Sequence, residues 1–236
     1  MTASAGRRAD SGPVAGPVPG RVPGTVPGPE AAAFPTVSAY FDSLPDGWAS
    51  FPECVARASL LGSLSERGAL DALEALPERL EPRVLVEHLA ATSEWLPEVV
   101  HVATLLAVRD VRFTAGARGD EEFQRWLQQL NRDLLDQPEN AGAMEVGSPL
   151  QFVPRIAEVW TMFHIGTPAI VVTHSPTHAV LTVTHPLALF PELATESRRR
   201  ACALALAKQG AVLPNVVTRT EITGTMVATS FDATWA

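Results

Sequence analysis

The sequence predicts an α/β (α+β) fold in which a helical N-terminal half precedes an α-β-β-α-β-β segment. Apolar residues recur at helical spacing over 35–150. Over 151–236, helical stretches alternate with Val- and Thr-rich runs that Pro and Gly interrupt. A hydrophobic content of 46% in 236 residues is enough for one large core or two small ones. We expect a single domain over 35–236, with a small antiparallel sheet packed on helices.

Residues 1–34 read as a Pro/Gly-rich tail. Val-Pro-Gly recurs at 18–20, 22–24 and 26–28. Each Pro removes a backbone donor, each Gly adds chain entropy, and bulky side chains that could be buried are scarce. We therefore expect this tail to be disordered. It is interpreted as a linker, with a tether or docking segment as the alternative.

The N-terminal half is predicted to be helical throughout. Helical segments are expected after Pro52, over 66–76, after Pro82 and after Pro97, and Asp120 is expected to cap another. The segment after Pro97 is almost wholly apolar, so it should be the central, buried helix.

Polar residues of this half are given structural roles. The acidic residues, including Glu94 and Glu98, are interpreted as caps and solvated faces. His88 and His101 lie among apolar neighbours and are interpreted as satisfied core or boundary histidines rather than catalytic bases.

The C-terminal part is predicted to contain two hairpins and two helices. A helix over 151–163 is expected to end at Gly166, and a second helix over 191–210 has a suitable glycine at its C-terminal end. The predicted strands cover 169–174, 178–185, 216–222 and 226–235.

Charge and targeting features limit the classes of function. The formal net charge is −8, and Arg198, Arg199 and Arg200 would fan around a helix, so we expect no nucleic-acid binding. Cys54 and Cys202 lie far apart and match no metal or redox motif, which suits a reducing compartment. The chain shows neither a signal-peptide pattern nor a long apolar stretch. We expect a cytoplasmic protein without membrane insertion.

Four of the six histidines cluster near the first hairpin. His174 and His178 flank the turn and could share a metal ion, whereas His185 should point to the other face of the sheet. The hairpin itself carries no Asp or Glu to complete a site. The pattern favours solvated or hydrogen-bonded histidines, with metal binding as the alternative.

A resemblance to a known group of domains rests on the C-terminal part. The run FVPRIAEVWTMFHIG at 152–166 is a helix leading into a hairpin; a second helix ends at Gly210, and FDATW closes the last strand at 231–235. This arrangement resembles the haem-NO-binding-like and four-vinyl-reductase group, in particular an uncharacterised branch abundant in myxobacterial proteins. The resemblance implies a regulatory module, or a small hydrophobic ligand held between helices and sheet.

The cofactor expectation follows from the same resemblance. Haem-binding members of the group use a Tyr-x-Ser-x-Arg motif, and the only tyrosine of this chain, Tyr40, lacks that context. Met226 stands where other members carry a cysteine after a glycine. We therefore expect neither haem nor metal, and no cofactor.

Two classes of function remain, and a third is less favoured. The chain carries no phosphate loop, dinucleotide fingerprint, nucleophile elbow or zinc-protease motif. We therefore predict a non-enzymatic regulatory or adaptor protein of a bacterial signalling pathway that binds a protein partner. The alternative is a small-molecule sensor with a pocket lined by Trp160, Phe163 and His164. An enzyme with a dispersed site is the third possibility.

Overall fold

The computed structural model describes residues 33–65, 76–77, 93–144 and 147–236. The predicted tail therefore lies almost wholly outside the described residues. So do the helices predicted over 66–76 and after Pro82, and His88. The division into a tail and a single domain stays a prediction.

The described part is a mixed α+β structure, as predicted. Its helices are α1 (Pro35–Ser43), α2 (Ser59–Ser65), α3 (Glu98–Arg112), α4 (Ala117–Asp136), α5 (Pro138–Met144), α6 (Pro149–Phe152), α7 (Ile156–Phe163) and α8 (Glu192–Lys208). Its strands are β1 (Val55–Arg57), β2 (Trp95–Pro97), β3 (His164–Ile165), β4 (Ala169–Ser175), β5 (His178–Pro186), β6 (Asn215–Thr223) and β7 (Met226–Thr234). None of the described helices is long and apolar enough to cross a membrane.

The larger sheet consists of the two predicted hairpins. Its strand order is β4-β5-β7-β6, and every neighbouring pair is antiparallel. Along β5 and β7, buried and more exposed residues alternate, which is the period of a sheet with one covered face. The long helix α8 packs against β6, β7 and α4. The two hairpins and α8 were thus predicted correctly in type and order, whereas the short strand β3 and the 3₁₀ turn at Val153–Arg155 were not predicted.

A second, small sheet was not predicted. It has the order β2-β1-β3, with Val55 paired with Pro97 and Ala56 paired with His164. The segment after Pro52, predicted as one helix, therefore begins as strand β1 and becomes helical only at Ser59. Pairing on both edges of β1 supplies backbone hydrogen bonds that local helical periodicity does not reveal.

The small sheet also connects the central helix to the start of the C-terminal part. The amide of Glu98, the first residue of α3, donates to Cys54 O at 2.9 Å. Gly166 follows β3 with φ +79°, and a Cβ there would lie 2.1 Å from Glu53 O, so this close approach requires glycine. The two contacts place His164 beside the first turn of α3.

Helix α3 is the central helix, as predicted. Its residues from Glu98 to Arg109 are buried or nearly so, including Val99, Val100 and Val102, which have no exposed surface. An apolar helix buried on all sides is typical of the middle of a core. Buried side chains from both halves of the chain form one cluster around it.

Candidate functional site

The three predicted ligand-binding residues lie on one wall of a cavity. The helix predicted over 151–163 is interrupted by a 3₁₀ turn at Val153–Arg155, because Pro154 offers no backbone N–H. The second part, α7, carries Trp160 and Phe163, and His164 begins β3 directly after it. The structure therefore brings these three residues together. That they bind a ligand stays a prediction.

The cavity has a volume of about 180 Å³ and lies between the helices and the larger sheet. Its wall is mainly apolar. Besides the three predicted residues it includes Leu105, Leu127, Leu130, Phe152, Leu181, Ala201, Cys202 and Phe231. Among the described residues of the wall, the polar side chains are His101, Asn131, Ser197 and Arg198, together with His164.

The Trp160 ring is held in a defined orientation. Its indole Nε1–H donates to Thr167 O at 2.7 Å, and Thr167 is buried. The ring stacks on His164 with a centroid distance of 4.3 Å and an interplanar angle of 27°. Because both the polar and the apolar sides of Trp160 are engaged, this part of the wall is preorganised.

A buried carboxylate lies behind this wall, and the sequence interpretation of it was wrong. Glu98 has no exposed surface, although it had been assigned to a cap or solvated face. Its Oε1 accepts from Arg198 Nη2 at 3.0 Å and from His101 Nδ1 at 3.3 Å, and its Oε2 accepts from His164 Nδ1 at 2.8 Å. Three donors from different elements make the burial of this charge tolerable.

The protonation states of this cluster follow from its contacts. Burial alone would raise the pKa of the Glu98 carboxyl, but the charge that His164 carries when it is protonated, together with the hydrogen bonds of both histidines, holds that pKa well below its usual range. Burial lowers the pKa of His164, against the opposing effect of Glu98. At neutral pH the cluster is therefore a carboxylate and a guanidinium with a neutral His164.

The neutral imidazole of His164 has only one tautomer compatible with these contacts. A carboxylate accepts hydrogen bonds but cannot donate them, so His164 Nδ1 carries the proton. Its Nε2 is then an acceptor, and no hydrogen bond to it occurs within the described ranges. His164, a residue of the cavity wall, thus carries an imidazole lone pair on Nε2, and its contact with Glu98 fixes the orientation of the ring.

One nitrogen atom of the Arg198 guanidinium makes no hydrogen bond within the described residues. Its Nη1 donates to Ala194 O at 3.0 Å, its Nη2 to Glu98, and its guanidinium lies 3.6 Å from the ring centroid of Phe190. Its Nε is buried without a hydrogen-bond partner among the residues that the structure describes. An unsatisfied buried donor costs free energy, so such an atom needs an explanation.

Sequence reasoning missed Glu98, His101 and Arg198 as members of a site. The signal for the first two was an acid and a histidine at i and i+3 on a helix already predicted to be buried. The signal for Arg198 was the predicted fan of three arginines, which directs one of them inward. Arg199 and Arg200 do pair with Glu196 near the surface, as the fan implies.

The hairpin histidines do not join this cavity. His178 Nε2 lies 3.0 Å from Asp232 Oδ1 on the neighbouring strand β7. His185 is buried on the other face, as predicted, with Nδ1 donating to Pro186 O and Nε2 within 3.0 Å of Thr229 Oγ1. Among the described residues, no group of three or more His, Cys, Asp or Glu side chains is arranged to hold a metal ion.

The buried histidines predict a loss of stability in mild acid. Burial lowers the pKa of both His164 and His185 below the ordinary value of 6.5. At a pH between the lowered pKa of the folded state and the ordinary pKa of 6.5, the unfolded chain binds protons that the folded chain does not. The free energy of unfolding should therefore fall as the pH drops below about 6.5. The lowered pKa of Glu98 predicts a further loss below about 4.5. Urea unfolding at pH 7.5, 6.5 and 5.5 tests the first loss, and a flat or rising stability would contradict it.

Comparisons with known proteins add little to this geometry. No family model matches the chain, and no curated protein matches it. One solved structure, described as "Modulating Heme Redox Potential Through Protein-Induced Porphyrin Distortion", aligns with 76% of this chain and 99% of its own. The TM-score is 0.41 and the sequence identity 9%. The family resemblance stays a prediction, and the site rests on its own contacts.

Proposed function

We propose that this chain is a small-molecule-binding domain whose ligand lies between the helices and the larger sheet. The observation that supports this function is a mainly apolar cavity with a few oriented polar groups, walled by Trp160, Phe163 and His164. Protein interiors are close-packed and rarely leave a void larger than a water molecule. A concave apolar space with a few placed polar groups is the usual form of a ligand site.

The volume suits a small molecule. An apolar cavity of about 150 Å³ engineered into another protein binds benzene. The cavity here is of that order, about 180 Å³. A single aromatic ring or a compact aliphatic group therefore matches its size.

Toluene is a suitable first probe, and a cavity-filling variant is the matched test. At a hundred times its dissociation constant a ligand adds about 2.7 kcal/mol to the free energy of unfolding. Ala201 lines the cavity, so Ala201→Leu should abolish the rise in melting temperature that toluene causes. Ala207 lies on the exposed side of the same helix, so Ala207→Leu should leave the rise unchanged. Equal behaviour of the two variants, or no stabilisation of the wild type, would refute the proposed function.

The adaptor role predicted from the sequence stays a prediction. A domain that binds a small molecule can also regulate a partner, and the two roles separate in one experiment. Affinity purification of the tagged protein from its native host, with mass spectrometry, identifies what accompanies it. A bound small molecule supports the proposal made here, whereas a stoichiometric protein with an empty cavity favours the adaptor.

A further inference from the structure

The polar end of the cavity defines which chemical groups it can accept. At neutral pH the carboxylate of Glu98 and the guanidinium of Arg198 cancel in charge, and both are largely removed from solvent. A ligand with a full charge would disturb this balance. An anion would face the Glu98 carboxylate, and a cation would face Arg198, each in surroundings of low polarity.

The unused acceptor of the cluster points to a ligand group that donates a hydrogen bond. Within the described residues, His164 Nε2 is an acceptor without a donor. The Nε–H of Arg198 also has no acceptor among these residues, but this atom is closed to the cavity. Both side chains belong to the wall of the same cavity. An uncharged hydroxyl has a hydrogen to donate to His164 Nε2, and it adds no charge beside Glu98 and Arg198.

His164 is better suited than His101 to this role. Its Nδ1 lies 2.8 Å from Glu98 Oε2, against 3.3 Å between His101 Nδ1 and Oε1. The shorter contact, together with the stacked Trp160 ring, fixes both the tautomer and the plane of the imidazole. A fixed acceptor loses little conformational entropy when a ligand donates to it.

On these grounds we propose that the ligand is a compact, uncharged alcohol or phenol whose hydroxyl donates a hydrogen bond to His164 Nε2. This inference rests on the proposed function, because it requires the cavity to be the binding site. It extends that function by naming the ligand class and the residue that recognises its polar end.

The test compares phenol, toluene and benzoate by calorimetric titration of the wild type and of His164→Asn. The asparagine amide nitrogen is bonded to Cγ, as histidine Nδ1 is, so this variant keeps a donor for Glu98 and loses Nε2. Leaving a buried hydroxyl unpaired costs roughly tenfold in affinity or more. We expect His164→Asn to lower the affinity for phenol by at least about tenfold and the affinity for toluene by less than about threefold. Among the three probes, benzoate should bind the wild type most weakly.

The outcomes separate the inference from the proposed function. Parallel changes in phenol and toluene affinity, or tightest binding of benzoate, would overturn the hydroxyl inference and leave the cavity as a binding site. If none of the three probes binds to the wild type, both the hydroxyl inference and the proposed function are refuted. If His164→Asn does not fold, the affinities of the wild type for phenol and for anisole are compared instead, because anisole is a methyl ether and cannot donate a hydrogen bond. Equal affinities for these two would overturn the inference, and a preference of about tenfold for phenol would support it.

Discussion

Glu98→Ala is expected to lower the free energy of unfolding by about 3–5 kcal/mol. The substitution removes a fully buried carboxylate and leaves the Arg198 guanidinium in the interior without its counter-ion. It also deprives His101 and His164 of the acceptor for their Nδ1 protons. Unpaired buried charges and donors are costly, because water no longer solvates them. Chemical denaturation at pH 7.5 measures the loss.

The paired variant distinguishes a broken ion pair from a general packing defect. Replacing Glu98 and Arg198 together, as Glu98→Leu with Arg198→Met, removes both charges and should restore part of the stability lost in Glu98→Leu alone. Exposed Glu122, which pairs with Arg118 on the surface of α4, serves as control, and Glu122→Ala should cost less than about 1 kcal/mol. Additive losses for Glu98 and Arg198 would show that the two side chains are not coupled.

Phe152→Ala is expected to cost about 3–5 kcal/mol and to change the size of ligand that the cavity accepts. Phe152 is fully buried and forms part of the cavity wall, so its removal joins the vacated space to the existing cavity. A two-ring probe such as naphthalene should then bind and recover part of the lost stability. Thermal unfolding with and without naphthalene measures both effects.

Phe123→Ala provides the matched control for this enlargement. Phe123 is equally buried, but it contacts the rings of Phe113 and Trp126 and is absent from the cavity wall. Its loss should cost a similar amount of stability, with no response to naphthalene. A response of the Phe123 variant, or none of the Phe152 variant, would place the ligand-accessible space elsewhere in the molecule.

The elements that the sequence predicts well are those with strong local signals. The two hairpins and α8 are bounded by Pro and Gly, and period-2 alternation sets the register along β5 and β7. Helix α3 was recognised as central because eight of the ten residues over 99–108 are apolar. In these segments the local sequence pattern and the tertiary environment favour the same structure, so a single sequence is sufficient to predict the element.

The elements that it predicts poorly depend on distant partners. Strands β1 and β2 have three residues each, and only pairing across the chain defines them. The burial of Glu98 also could not be predicted from its local sequence, since an acid in the first turn of a helix is ordinarily a solvated, favourable charge. Its burial depends on His164 and Arg198, which lie far away in sequence. The wall residues Trp160, Phe163 and His164 were predicted because the family resemblance implies a ligand between helices and sheet, whereas the carboxylate behind them was not predicted.

The imidazole nitrogens of His164 offer the most direct test of the site. With ¹⁵N-labelled histidine at pH 7, long-range ¹H–¹⁵N spectra identify which ring nitrogen carries the proton, and phenol can be titrated into the same sample. The structure predicts a neutral ring protonated at Nδ1, with an Nε2 resonance that moves saturably as phenol binds and stays unchanged in Ala201→Leu. A proton on Nε2 at neutral pH, or an Nε2 resonance that phenol does not move at concentrations that saturate the protein, would contradict the proposed binding site.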